Sequence, residues 1–508
     1  MKNTIKLLGI LLVIAAAIFV AACGPLEPVE PEEETFTITY MNGTQTVDTF
    51  SGQKKDDPIP VTSKTPTYAP PAPPTTTAGL FKNPTSTGKN FKGWGLTPTA
   101  TESETVILNS LTVTGNQTFY AVWSGSDATY VSVPLAGTGS NLEKAVATIK
   151  AASPSATDEY TLILEDDSPT AQVALNFSNI KLTIIGKGSA TIKAPDLSKQ
   201  NPSANNTNPR VFILVGKGGA STTAAIAQDP SISLTLKNIW VEGNATAHPD
   251  SMIRVENGAS LILEKDSKIY NHTNNAGLKS GTVTTTGDGT LGNGSAICVI
   301  NGGKLTVKPG AVVEENKSTG DQDNKNLVGG IFAHGGTATA NATLKSVVTI
   351  EGGMIKKNTS TLGNTADIYV TDTVDLIMKG NLTIGELTLN ADTTGTGASA
   401  VTTSAVIQIP SAVTNTVDKL CLRSTEPAPN SGVSVPNALN NTKTKWTGRV
   451  ILKGIDGHTV TGDDVDKFIL GEFRGRADFT TVSGGNKIDE LGLKIGKSGD
   501  DLGKLVAK

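Results

Sequence analysis

Apolar residues recur along most of this chain in short bursts rather than at helical spacing. Thr35-Phe-Thr-Ile-Thr-Tyr40 alternates apolar and polar residues, the period of a half-buried strand, and Met41-Asn42-Gly43 closes it with a turn signal. Helical spacing stands out near residue 140. Ser140-Asn-Leu-Glu143 has the form of a capping box, and Leu142, Ala145, Val146 and Ile149 then fall on one face. Beyond that helix short β runs take over. Ile253-Arg-Val255-Glu-Asn257-Gly258-Ala-Ser-Leu261-Ile-Leu263 matches Ile297-Cys-Val299-Ile-Asn301-Gly302-Gly-Lys-Leu305-Thr-Val307 at a constant offset of 44 residues, and the match continues to Ile269 and Val313.

Each copy therefore holds three short strands, broken by Asn-Gly and by a second turn at Asp266-Ser267 or Gly310-Ala311. Weaker copies run through Leu182-Thr-Ile184, Val211-Phe-Ile213, Leu234-Thr-Leu236, Ile331-Phe-Ala333, Val348-Thr-Ile350, Ile368-Tyr-Val370, Leu376-Ile-Met378 and Leu382-Thr-Ile384. Strands this short cannot bury a face alone, but stacked coil upon coil they can. The expected fold class is all-β: a small β module over 35–125, then a parallel β-helix over 130–450, then a C-terminal cap over 451–508. The helix at 140 covers the open first coil. Asn271, Asn316 and Asn358 each follow a third strand, and stacked turn asparagines there are expected to bridge adjacent coils. The alternative to a solenoid is a set of β-sandwiches. Irregular insertions such as 277–295 favour the solenoid, whose coils tolerate loops on one side.

The N-terminus has a different pattern. Lys2 and Lys6 precede an almost wholly apolar stretch from Leu7 to Ala22, short for a membrane span and ending in small residues. Val20-Ala21-Ala22-Cys23 resembles the lipobox of bacterial lipoproteins. That resemblance implies a signal peptide over 1–22, cleavage before Cys23, and a lipid on the Cys23 thiol that holds the protein to a bilayer in the cell envelope, at the outer membrane or cell surface. Residues 23–34, rich in proline and glutamate, read as an extended tether.

Within 35–125, Phe91-Lys-Gly93-Trp94 and Phe119-Tyr120-Ala121-Val122-Trp123 concentrate aromatics in a chain that has few, 5% overall. The two motifs resemble the Listeria–Bacteroides repeat, the internalin-type B repeat. The resemblance implies a β-grasp-like module with Phe91, Trp94, Tyr120 and Trp123 in its core. An exposed aromatic platform is the alternative for the tryptophans. The stretch between Gln53 and Lys82 is longer and richer in proline than that pattern. The later repeats resemble the right-handed parallel β-helix of the pectin-lyase-like superfamily.

Composition agrees with many strands and turns: Gly 53, hydrophobic 37%, charged 18%. A net charge of −4 and the lack of a Lys/Arg stripe argue against nucleic acid. Once Cys23 carries lipid, only Cys298 and Cys421 remain, too few for a disulfide framework. The superfamily resemblance makes an enzyme the rival class. Glycosidases need two or three carboxylates flanking one bond, and Glu165-Asp166-Asp167 is the best acidic candidate, with a solvated strand end as the plainer reading. Arg254 stands without an acidic cluster at repeat spacing. His248, His272, His334 and His458 are scattered without metal-ligand spacing. Asp321-Gln-Asp323-Asn324 lacks the glycine and distant glutamate of a calcium loop, and no cofactor motif is present. The expectation is a non-catalytic adhesin or scaffold for glycan or protein. The alternatives are a polysaccharide lyase or glycoside hydrolase, and a structural envelope spacer. Exposed aromatic rows along the solenoid would favour glycan binding, and few aromatics occur there.

Overall fold

The structure is a computed structural model that describes residues 33–67, 77–84, 90–124, 129–196, 211–217, 227–246, 251–274, 295–319, 328–335, 344–360, 367–371, 373–394, 401–414, 416–424, 447–474, 486–489 and 492–508. The expected signal peptide, Cys23, the tether to residue 32, His248, the 321–324 oxygen cluster and most of the 277–295 insertion lie outside these residues. The chain divides into two units, Met1–Pro71 with Ser86–Ala128, and Ala72–Thr85 with Thr129–Lys508.

The first unit is built on β1 (Thr35–Asn42), β2 (Gln45–Lys54), β4 (Asn90–Gly95) and β5 (Gln117–Ser124), in sheet order β2-β1-β5-β4. The central pair, β1 and β5, is parallel, and each outer strand is antiparallel to its neighbour. Alternation along β1 sends Ile38 and Tyr40 into a core with Ile59, Trp94, Leu108, Val113 and Phe119. Tyr40 meets Trp94 edge-on at 4.7 Å and stacks on Phe119 at 5.4 Å, geometries that add to simple burial. Trp94 is buried, Phe91 packs half-buried against the cluster, and Trp123 meets the Phe91 ring at 5.6 Å. Tyr120 lies outside the cluster, because strand parity gives the inward place to Phe119.

β3 (Gly79–Lys82) corrects the 35–125 boundary. It pairs antiparallel with Val131–Val133 and with Tyr160–Leu164, and so belongs to the second unit.

That second unit is all-β apart from short helices. Its large sheet resolves into three columns, in each of which a strand pairs in parallel with its equivalents earlier and later in the chain. The first column joins Val173–Leu175, Ile213–Val215, Ile253–Glu256, Ile297–Ile300, Ile331–Ala333 and Ile368–Val370. The second joins Tyr160–Leu164, Lys181–Gly186, Ser233–Lys237, Ser260–Leu263 and Lys304–Val307. The third joins Thr191–Lys193, Trp240–Glu242, Lys268–Tyr270 and Val312–Glu314. The long strands Ser346–Lys356 and Val374–Thr394 pass from one column to the next.

Ile253 pairs with Ile297, Leu261 with Leu305 and Ile269 with Val313, the register read from the sequence offset. The Asn-Gly turns hold two successive residues at positive φ, Asn257 and Gly258 at 55° and 83°, Asn301 and Gly302 at 50° and 82°. Those values suit the Asn-Gly pair. One expected strand shifts by two residues: Ile213–Val215 pairs, while Val211 and Phe212 precede it. The columns also outrun residue 450, since Leu452–Gly454 extends the second and Phe468–Arg474 the first. The expected 451–508 cap therefore begins as a continuation of the repeat.

The helix α1 (Asn141–Ala151) has the expected cap. Ser140 N–H donates to Glu143 Oε2 at 2.8 Å, and Glu143 N–H donates to Ser140 Oγ at 3.2 Å. Leu142, Ala145, Val146 and Ile149 join the aliphatic core beside Leu80, Tyr160 and Val173.

The turn amides form a buried ladder through Asn316 and Asn358 as expected, while Asn271 stands one position off it. The positive-φ position is shared by Asn271, Glu315 and Lys357, and the ladder runs through the residue after it. His272 N–H donates to Asn316 Oδ1 at 3.1 Å, and Asn316 N–H and Nδ2 donate to Asn358 Oδ1 at 3.2 and 2.9 Å. Asn358 N–H and Nδ2 in turn donate to Asp367 Oδ1 at 2.9 and 2.8 Å. Asn271 instead reaches Glu242 Oε1 at 3.2 Å. Asn316→Ala leaves the buried His272 N–H without its acceptor and takes one of two donors from Asn358 Oδ1, and should cost about 3 kcal/mol, whereas Asn271→Ala should cost about 1 kcal/mol through the left-handed backbone. Urea unfolding midpoints of the two variants check this order.

Asp367 closes the ladder and is fully buried. Burial pushes its carboxyl up to about 6, with the nearby Glu386 charge adding, while hydrogen bonds from Asn358 and from the Glu386 N–H at 2.8 Å act the other way. A carboxyl whose folded pKa is raised holds its proton more tightly in the folded chain. Its stabilisation is complete below the unfolded pKa of about 4 and is lost as pH rises to about 6. Relative to Asp367→Asn, the parent should lose up to about 3 kcal/mol of unfolding free energy between pH 4 and pH 7. A pH-independent difference would refute the assignment.

Candidate functional site

The acidic triplet does not form one site. Glu165 is exposed and its Oε1 lies 2.6 Å from Lys187 Nζ. Asp166 accepts from the Thr191 N–H at 3.3 Å. Asp167 is buried, and its two oxygens accept from the N–H groups of Asn141 and Leu142 at 3.0 and 2.8 Å. It thereby satisfies two of the unpaired amides at the start of α1. Burial raises its pKa against the pull of those hydrogen bonds. Successive residues leaving a strand point different ways, which separates the three carboxylates that sit together in sequence.

A second group of reactive residue types lies on the outward side of the first column. Leu214, Arg254, Cys298, Phe332 and Tyr369 follow one another in register. Cys298, Ile300, Val328, Phe332 and Tyr369 form a buried cluster of their own, with the Phe332 and Tyr369 rings stacked at 5.5 Å. Arg254 Nε lies 2.8 Å from Glu256 Oε2, with the side chains 8% and 4% exposed. Sequence reading left Arg254 without an acidic partner; the structure supplies one two residues on, the spacing that shares a strand face. Burial raises the Glu256 pKa against the Arg254 charge. His334 Nδ1 lies 3.0 Å from Thr371 Oγ1. His334 is partly exposed, but Arg254, Glu256, Cys298, Phe332 and Tyr369 are closed to solvent, so a dissolved ligand cannot reach them as they stand. Cys298 and Cys421 are buried thiols. His458 Nε2 lies 3.1 Å from Asp464 Oδ2. Among the described residues no three His, Cys, Asp or Glu side chains gather as a metal site.

The outward side of the third column is partly open, most of all at Trp240. Ile192, Val241, Ile269 and Val313 point inward, which sends Trp240, Glu242, Lys268, Tyr270 and Glu314 outward. Trp240 is 41% exposed and meets the Tyr270 ring edge-on at 5.9 Å. Lys268 Nζ lies 5.5 Å from the Trp240 ring centroid and 4.6 Å from that of Tyr270, within cation–π range. It is also 2.9 Å from Glu314 Oε1, whose other oxygen is 3.0 Å from Lys357 Nζ. Burial pushes the Glu314 carboxyl up, but the two ammonium groups outweigh it and hold the pKa below the usual range. Burial, then the Glu242 and Glu315 charges, raise the Tyr270 pKa. The result is a sheet face with an edge-on aromatic pair set among paired charges. Sequence reading passed over these rings. Parity about the inward Val241 and Ile269 was the signal that could have found them.

No family model, curated protein or solved structure matches the chain. The function must therefore be argued from these faces alone.

Substitution separates the acidic residues by role. Asp167→Ala should cost about 2 kcal/mol and speed amide exchange across α1, since it orphans two helix N–H groups. Glu165→Gln and Asp166→Asn should each change stability by under about 0.5 kcal/mol. Equal effects in chemical unfolding would put the three back into one site.

Proposed function

We propose that this chain is a cell-surface lipoprotein, anchored to a bacterial membrane through acylated Cys23, that serves as a non-catalytic adhesin or binding scaffold for glycan or protein. Three parallel columns joined by turns support reading the large unit as a right-handed parallel β-helix of the pectin-lyase-like kind. The first unit's strand order, with its first and last strands parallel at the centre, suits a β-grasp-like Listeria–Bacteroides module. Phe91 pairs with Trp123 across β4 and β5, which supports that reading.

One observation carries the binding reading. Trp240 stands exposed beside Tyr270 on a sheet face, in a chain where aromatics are scarce. An exposed indole on a sheet face presents apolar area to a partner at little entropic cost. The runner-up, a lyase or glycosidase, would need the buried Arg254–Glu256 pair opened to its substrate.

Membranes from cells expressing the full chain, screened on a printed glycan array, test the proposal. The parent should be retained on at least one glycan. Cys23→Ser should move the protein to the soluble fraction with binding intact. Trp240→Ala should leave it on the membrane and abolish retention. Glycan cleavage lost on Glu256→Gln would replace the scaffold with an enzyme.

A further inference from the structure

The charges around Trp240 narrow the ligand class. Across the third column one outward row runs Thr191, Trp240, Lys268, Val312, and the next runs Lys193, Glu242, Tyr270, Glu314, Lys356. Along the second row Tyr270 stands between two glutamates, with a lysine at each end. The cation nearest the rings, Lys268, is engaged by Glu314, which also holds Lys357. Glu242 and Glu315 act on Tyr270 as negative charges. No surplus of one sign faces the indole.

We infer that the Trp240 face binds an uncharged polysaccharide, one sugar ring lying against the indole and its hydroxyls meeting the flanking lysine and glutamate side chains. This rests on the binding reading of the same face. A pyranose is itself amphipathic, with a C–H-rich side and a rim of hydroxyls. Such a ring matches an apolar plate set among groups that both donate and accept hydrogen bonds. Beside the rings a uronate or sulfated chain would find Lys268 already held by Glu314 and would meet Glu242 and Glu315 as well. A folded protein partner needs a broad desolvated patch around its anchor. The salt-bridged rim leaves only a narrow apolar surface at Trp240.

The test uses the detergent-solubilised full-length chain, with its retention measured on immobilised mannan, dextran and mixed-linkage β-glucan, and on polygalacturonate. The expected result is retention on at least one neutral polymer, little changed between low and high NaCl, and weakened roughly tenfold or more by Trp240→Ala but much less by Trp240→Phe. Glu314→Gln releases Lys268 and Lys357 and should raise retention on polygalacturonate several-fold. Thermal melts on each variant separate loss of binding from loss of fold. Trp240-dependent retention on polygalacturonate alone, lost in high salt, would overturn the uncharged ligand and leave the binding scaffold intact. Absence of Trp240-dependent retention on any polymer would overturn both.

Discussion

Parallel pairing between equivalent strands is the constraint on which the second unit depends. Each backbone ladder aligns a residue with its counterpart one repeat away, so an inward position must be apolar in every repeat it passes through. Ile213, Ile253, Ile297, Ile331 and Ile368 stack in one such line, and Leu182, Leu234, Leu261 and Leu305 in another. Each buried aliphatic contributes about 1.5–3 kcal/mol only because its neighbours above and below exclude water. A lone three-residue strand has no such neighbours. The same logic makes the first repeat a liability, since its outer edge and open end lack a preceding copy. Antiparallel β3 pairs along that edge, and the apolar side of α1 packs into the same aliphatic core.

Apolar stacking cannot satisfy the backbone where the chain turns between columns. The Asn316–Asn358–Asp367 ladder does that work with side-chain amides and one carboxylate. An amide both donates and accepts, so it can pass hydrogen bonds from one repeat to the next. Asp367 only accepts when ionised, which makes it a terminus: Asn358 donates from one side and the Glu386 N–H from the other. Charge enters the interior at the point where the amide run stops.

Much of this was legible in the sequence, for reasons that differ by element. The Ile253 and Ile297 repeats are equal in length, so a constant offset exposed their pairing. The capping box at Ser140 and Glu143 is local, and local signals survive without knowledge of the rest. Asn316 and Asn358 were legible as ladder residues, but Asn271 was placed one residue early, because asparagine suits both the left-handed turn position and the bonding position. Glu315 and Lys357 occupy the first and carry no signal for it. β3 was illegible, since its partners lie some 50–80 residues away and antiparallel pairing leaves no repeat to align. The acidic triplet sits together in sequence without converging in space. Asp167 turns in to cap a helix while Glu165 turns out to a lysine.

With inward positions committed to the core, function is left to the outward faces, and the three columns differ there. The first column's outward side is buried around Phe332 and Tyr369. The second carries Thr183, Thr235, Ile262, Thr306 and Thr349 in register, flanked by ion pairs such as Lys308–Glu264 and Lys379–Glu351. β-branched side chains and paired charges suit a solvated sheet and ask for no partner. Only on the third does a large aromatic stand in water among the described residues of the columns. Trp240 and Val241 are neighbours in the chain yet answer to different demands. Val241 is fixed by the repeats on either side of it, so a change there is a change in stability. Trp240 meets no such requirement from the fold. Leaving an indole exposed forgoes the stabilisation that burial would give, and a partner that covers it recovers that free energy on binding.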